Sequence, residues 1–286
     1  MLDGILNLDK PSGLTSHDVV AQVRAVAGQR RVGHAGTLDP LASGVLLVCL
    51  GRATRLVEYL MDSTKVYRAR IRLGMTTDTY DATGTVLQER PVEVDRATVE
   101  TALARFRGPV LQVPPMYSAL KRDGQPLYRL ARRGVTVERQ PRAVEIYRLD
   151  LTAWEPPYLT VEVACSAGTY IRSLAHDLGE RLGCGAYMDA LTRLASGDFR
   201  IEEAIPLAAL TRERLLASLL PPDAALRRYP VLRLDEAGVR TVRMGQTVVA
   251  PPQDAPLARA YAPDGSFVAV MEYQTEQAVW QPRKVF

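Results

Sequence analysis

Gly33-His34-Ala35-Gly36-Thr37-Leu38-Asp39-Pro40-Leu41-Ala42-Ser43-Gly44 is a glycine-punctuated stretch with one carboxylate, Asp39, and it runs straight into the apolar residues 45–50. Asp-Pro is a turn-forming pair, because Pro40 fixes its own φ and steers Asp39 away from helix. The apolar run after Gly44 reads as a buried strand. The expected picture is a stiff loop at the mouth of a sheet, presenting Asp39. From these residues alone Asp39 has two readings: the cap of an Asx turn, or a carboxylate placed to act on a substrate.

Working outward, Ile5-Leu6-Asn7-Leu8 is a strand candidate that runs into the turn Asp9-Lys10-Pro11-Ser12-Gly13. Thr15 or Ser16 then caps a helix with Val19, Val20, Val23 and Val26 on one face and Gly28 as its stop. Residues 65–73 alternate: Tyr67, Ala69, Ile71 and Leu73 share one face of a strand, and Arg68, Arg70 and Arg72 share the other. Residues 76–84 read as a polar, acidic loop. Asp95 caps a helix with Val99, Leu103 and Phe106 inside and Gly108 at its end.

Residues 112–134 interleave Tyr117 and Tyr128 with Lys121, Arg122, Arg129, Arg132 and Arg133. That is the composition of a nucleic-acid grip, or of a basic loop with one short helix. A strand over 159–164 leads to an amphipathic helix over 169–182, with Tyr170 and Arg172 in its first turn. Arg172 reads as a surface arginine at a helix N-terminus, but a cation there opposes the helix dipole, a mild penalty that suggests a partner nearby. A further helix is expected over 206–220. The chain divides at about residue 228. Residues 229–286, short apolar segments broken by turns, read as a small all-β module after the larger domain 1–228.

The chain has 286 residues, enough for a large core without a metal or disulfide staple. Its hydrophobic content of 47% and charged content of 24% are those of an ordinary globular protein. Net charge is +4, unevenly spread: residues 21–72 hold nine Lys/Arg against three Asp/Glu, and residues 105–148 ten against three. Two basic blocks on a nearly balanced chain suggest a face for a polyanion. Cys49, Cys165 and Cys184, like His17, His34 and His176, show no ligand spacing, so neither a metal nor a disulfide framework is expected. There is no signal-peptide pattern and no 18-residue apolar run, so no membrane contact is expected and a cytoplasmic home is the simplest. Walker-type phosphate loops, dinucleotide fingerprints and nucleophile elbows are also missing from the sequence. What remains is a carboxylate acting on a polyanion, a chemistry in which Asp can be a covalent nucleophile toward an electrophilic carbon.

Four stretches in order, Asn7 to Ser16, Gly33 to Gly44, Lys65 to Asp81 and Gly168-Thr169-Tyr170-Ile171-Arg172-Ser173-Leu174, resemble the TruB-type tRNA pseudouridine synthases, which isomerise uridine 55 of the T loop. The resemblance covers residues 4–205. It implies an α+β pseudouridine-synthase fold: a mixed, largely antiparallel sheet flanked by helices, followed by a small C-terminal PUA-like β-barrel, the last on a weak match. It implies a monomer that acts on the T stem-loop of tRNA with neither metal nor cofactor.

By the same resemblance Asp39 is the nucleophile and Arg172 the arginine paired with it. Tyr67 packs on the target base and is a candidate to help remove its C5 proton, although its strand position also fits a core tyrosine. Tyr170 and Leu191 contact the flipped nucleotide. His34 lies beside that nucleotide and is linked to flipping it, and Lys10 is a structural or phosphate-contacting residue. Two departures from the family pattern are Ala35, where many members carry Thr, and Thr192, where a second Arg is common. The rival readings are an RNA-binding protein without catalysis, which would not need Asp39, Tyr67 and Arg172 together, and a glycosidase-like enzyme, which would need a second carboxylate.

Overall fold

The computed structural model describes every residue of the chain except Ala119, Asp123, Arg132 and Thr136. Asp123 and Arg132 belong to the basic stretch 112–134 and lie outside the described residues.

Strand β1 (Gly4–Lys10) is followed by a turn and by helix α1 (Ser16–Ala27). Thr15 caps α1 reciprocally: its hydroxyl accepts from the Asp18 N–H, and the Asp18 carboxylate accepts from the Thr15 N–H. Two otherwise orphaned donors are satisfied in this way. Gly28, at φ +63°, closes the helix in the left-handed region that its missing Cβ allows. Strand β2 (Val32–Ala35) pairs antiparallel with β3 (Ser43–Leu50), Gly33 opposite Cys49 and Ala35 opposite Leu47. The glycine-punctuated stretch therefore starts as a strand, and the loop shrinks to residues 36–42. The reason lies in β3: β1 fills one edge along its whole length, and β2 fills the part of the other edge that would leave buried backbone unpaired.

Helix α2 (Val57–Met61) leads to β4 (Lys65–Leu73), β5 (Met75–Thr77) and β6 (Val86–Glu89), the last two forming a small hairpin around residues 78–85. Asp95 caps α3 (Arg96–Ala104) through the Thr98 N–H. This helix stops four residues before Gly108, which instead opens β7 (Gly108–Gln112). The basic stretch is more structured than a loop: β8 (Lys121–Arg122) and β9 (Gln125–Pro126) form a two-stranded turn, followed by α4 (Leu127–Ala131). The long strands β10 (Arg142–Glu155) and β11 (Tyr158–Cys165) then lead to α5 (Ile171–Leu182) and β12 (Ala186–Ser196).

Short strands β13 (Phe199–Arg200) and β14 (Ile205–Pro206) follow, and then α6 (Arg212–Ala217). The helix expected over 206–220 is thus reduced to six residues. Pro206 sits in a strand beside β1, Thr211 caps the helix late, and Leu220 turns back to bridge Ile5.

The described residues of β1–β4, β7 and β10–β14 make one sheet, β14-β1-β3-β12-β4-β11-β10-β7, with β2 and β13 attached. It is mixed and largely antiparallel, the parallel pairings being β1–β14 and β3–β12. Helices α1, α3 and α5 cover one face, where Val20, Leu46, Ala69, Val99, Leu174 and Val163 share a core. Alternate residues of β1 and β3 (Ile5, Val45, Leu47 and Cys49) point into a second core with Leu56, Tyr59 and Val270. Burial on both faces explains the unbroken apolar run of β3. Strand β4 keeps its expected alternation. Its arginine row lies away from the helices, where Arg68 pairs with Glu162 and Arg70 with Asp189.

From residue 231 on, β15 (Val231–Arg233), β16 (Leu257–Tyr261), β17 (Phe267–Gln274) and β18 (Val279–Val285) form a separate four-stranded sheet. It is not all-β, because α7 (Glu236–Arg243) packs Val239 and Val242 against it under an Asp235 cap. Among the described residues no helix is long and apolar enough to cross a membrane.

Candidate active site

The loop 36–42 is fixed from several sides. The Leu38 N–H donates to Ser16 Oγ at 2.9 Å, and Ser16 Oγ donates back to the Leu38 carbonyl. The Gly13 N–H reaches the Pro40 carbonyl at 2.8 Å, and Ser12 Oγ the Leu41 carbonyl. On the other flank Arg193 of β12 donates to the carbonyls of Val45 and Gly36, at 2.6 and 3.1 Å. Gly44, at φ +98°, lies against Arg193 so closely that a Cβ would stand 2.3 Å from its carbonyl oxygen. No side chain fits there.

Asp39, so held, does not cap its own turn through its side chain among the described residues. Its Oδ2 pairs with Arg172 Nε at 2.9 Å. Arg172 is buried in the first turn of α5, and its position against the helix dipole is matched by two carboxylates, the second being Asp81 at 3.5 Å. The guanidinium also donates to the carbonyls of Thr79 and Tyr117, at 3.2 and 2.8 Å. The expected partner of this cation is therefore present twice over. Asp81 is enclosed: its Oδ1 accepts from Thr79 Oγ1, Thr83 Oγ1 and the Thr83 N–H. The Asp39 side chain, by contrast, is 36% exposed and lines a cavity of about 530 Å³. Of the two carboxylates, only Asp39 is available to a ligand in that cavity.

The same cavity is lined by Tyr67, Tyr170, Arg172 and Leu191. Tyr67 is at once a core tyrosine of β4 and a cavity wall, since alternation turns it inward at the point where the helix layer opens. Leu191 reaches the cavity from β12, opposite Ala69 of β4. Tyr170 is the residue before α5. Gln112, buried at the end of β7, clamps its backbone by donating to its carbonyl at 2.9 Å and accepting from its N–H at 2.7 Å.

Burial pushes the Asp39 carboxyl above the usual carboxylate range, and nearby Asp81 adds to that. The Arg172 guanidinium opposes both, with a smaller pull from Lys10. Burial likewise raises the Tyr67 phenol.

Two expected site residues stand apart. Lys10 is fully buried, and its ammonium donates to the carbonyls of Pro11, Leu14 and Pro40. Burial lowers its pKa to about 8. Its contacts fit the structural one of its two readings: Lys10 braces the turn against the Asp39 loop. His34, on β2, does not line the cavity; its ring meets His17 edge-on at 5.3 Å. Burial and the neighbouring His17 lower its pKa.

Three positioning groups escaped sequence reasoning: Asp81, Arg193 and Gln112. For Asp81 a signal existed, since Thr79-Tyr80-Asp81-Ala82-Thr83 surrounds a carboxylate with hydroxyls. Arg193 and Gln112 act through partners more than fifty residues away in sequence, and no local pattern marks them.

Comparison with known proteins shows which proteins the chain is similar to. Residues 24–171 match the model of the TruB family pseudouridylate synthase N-terminal domain. Residues 172–237 match the tRNA pseudouridylate synthase B C-terminal domain, and residues 229–286 the tRNA pseudouridine synthase II C-terminal model. The chain is 45% identical to tRNA pseudouridine synthase B of Dehalococcoides mccartyi strain CBDB1, over 100% of this chain and 97% of that one. It is 47% identical to that of Pseudomonas aeruginosa strain UCBPP-PA14, over 99% and 96%. Among solved structures it is similar to a Cbf5-Nop10-Gar1 complex, with TM-score 0.77 and 28% identity over 99% of this chain and 84% of the other. It is also similar to an H/ACA RNP bound to a substrate RNA containing 2'-deoxyuridine, with TM-score 0.76 and 26% identity over the same shares.

Proposed function

The chain belongs to the TruB family of pseudouridylate synthases, and from that premise we propose that it isomerises uridine 55 in the T loop of tRNA to pseudouridine, with Asp39 as the nucleophile. The observation that carries this reading is the Asp39–Arg172 pair on the wall of a cavity large enough for a flipped nucleotide. The relatives named tRNA pseudouridine synthase B give the substrate class.

In the proposed reaction the target uridine leaves its stack, at a cost of a few kcal/mol, and enters between Tyr67 and Leu191. Arg172 holds the Asp39 carboxylate ionised and aimed. Asp39 attacks the nucleotide at the ribose C1′ or the uracil C6, and the N1–C1′ bond breaks. The base turns and rejoins C1′ through C5, and the bond from Asp39 to C1′ or C6 breaks, which frees the carboxylate. C5 loses its proton and N1 ends protonated, so product and substrate are isomers. An isomerisation needs no redox partner and no energy source. Tyr67, on the cavity wall, is the candidate to help remove the C5 proton.

Tritium release from tRNA carrying C5-tritiated uridine tests the assignment of Asp39. D39N is expected to bind tRNA and release no tritium above background. Near-normal release would remove Asp39 from the chemistry.

A further inference from the structure

Arg172 can direct Asp39 only if its other side is held; the Tyr117 carbonyl takes Nη2, and the hold on Nη1 comes from one turn, residues 77–81. Here Thr79 offers its carbonyl to Nη1 at 3.2 Å and Asp81 its carboxylate at 3.5 Å. Between them stands Tyr80, whose φ of +64° lies in the left-handed region that side chains rarely occupy. Such a conformation is strained and persists only where neighbours over-determine it. The turn is tied to β12 by two backbone bonds, Met188 N–H to the Tyr80 carbonyl and Ala82 N–H to the Met188 carbonyl, each 3.0 Å.

A third neighbour is His176. Its ring stacks on that of Tyr80 with centroids 3.9 Å apart and planes 7° from parallel. His176 is four residues beyond Arg172 on α5, so both side chains leave the same helix face toward the same turn. Burial and the charge of Arg139 lower the His176 pKa while Glu180 raises it. Neither ring lines the cavity.

We propose that the Tyr80–His176 stack is a positioning clamp: it holds the left-handed turn on α5, so that Thr79 and Asp81 fix the Arg172 guanidinium and, through it, the Asp39 carboxylate. The two rings do no chemistry. They help to set the direction of a buried cation that lies between two carboxylates and is held besides by the Tyr117 carbonyl. The proposal rests on the assignment of Asp39 as nucleophile.

The test is steady-state kinetics of full-length variants on unmodified tRNA, with D39N and D81N alongside. H176A is expected to lower kcat about tenfold, with KM for tRNA within about twofold, and to move the acid limb of the pH profile upward. H176F keeps a ring to stack and is expected to recover kcat to within about twofold of the parent. Tyr80→Gly, which accepts a positive φ but removes the ring, is expected to behave like H176A. The double variant H176A/D81N is expected to be no slower than D81N, because both act on Arg172. Unchanged kcat in H176A, equal losses in H176A and H176F, or multiplicative losses in the double variant would each overturn the clamp. Should H176A fail to fold by circular dichroism, Tyr80→Gly against Tyr80→Phe reads the same question: Gly slow and Phe normal supports the clamp, and equal rates overturn it. An active D39N would instead overturn the nucleophile assignment, and is read separately.

Discussion

At the residue scale, two carboxylates share one arginine and differ in prospects. Asp81 has one oxygen occupied by Thr79 and Thr83 and the other turned to Arg172 in an enclosed site, while Asp39 keeps a surface on the cavity. Burial raises the Asp39 pKa and Arg172 pulls it back. A nucleophilic carboxylate works only when ionised, so activity is lost as pH falls through that pKa. Removing the cation leaves only the smaller pull of Lys10 against the raising influences and moves the pKa further up. R172M is therefore expected to shift the acid limb of kcat/KM to higher pH and to lose more activity at pH 6 than at pH 8. Misdirection of the carboxylate adds a pH-independent loss of about a hundredfold. An R172M profile that falls uniformly, with its acid limb unmoved, would mean that Arg172 does not act on Asp39's ionisation.

At the element scale, the loop that carries Asp39 is as rigid as its flanks. G44A tests this, since alanine brings both an unfavourable φ and a clash with the Arg193 backbone. It is expected to destabilise by more than about 1 kcal/mol, read by denaturant unfolding, and to lower kcat because the loop must shift. Full activity and stability would mean that the flank is not rigid. The elements whose patterns are local were legible in the sequence: α1 from Thr15 to Gly28, β4 from its alternation, and α5 from its apolar face. The elements decided by distant partners were not. Residues 33–35 look like loop until the free edge of β3 is known, and 206–220 look like one helix until Leu220 is seen to bridge Ile5. The site divides in the same way. Motifs single out Asp39, Tyr67 and Arg172, which meet at the cavity, whereas the three carbonyl partners of the Lys10 ammonium cannot be read from sequence.

At the scale of the whole molecule, the two basic blocks have separate fates. Arg68 and Arg70 of β4 lie on the face away from the cavity and are paired with Glu162 and Asp189. In the second block Arg129 and Arg133 are exposed, and Arg142 lies close enough to act electrostatically on Tyr170 at the cavity. Substituting Arg129 and Arg142 by Gln is expected to weaken tRNA binding and to flatten the dependence of log K on log salt by about one for each phosphate no longer neutralised. R68Q with R70Q is expected to leave that slope unchanged. Equal slopes for both pairs would put the docking face elsewhere. The account as a whole stands on one outcome: incubation of unmodified tRNA with the wild-type chain and with D39N, followed by mapping of pseudouridine at every position. Wild type is expected to place a single pseudouridine at position 55 and D39N none, whereas modification at another position, or by D39N at a near wild-type rate, would contradict it.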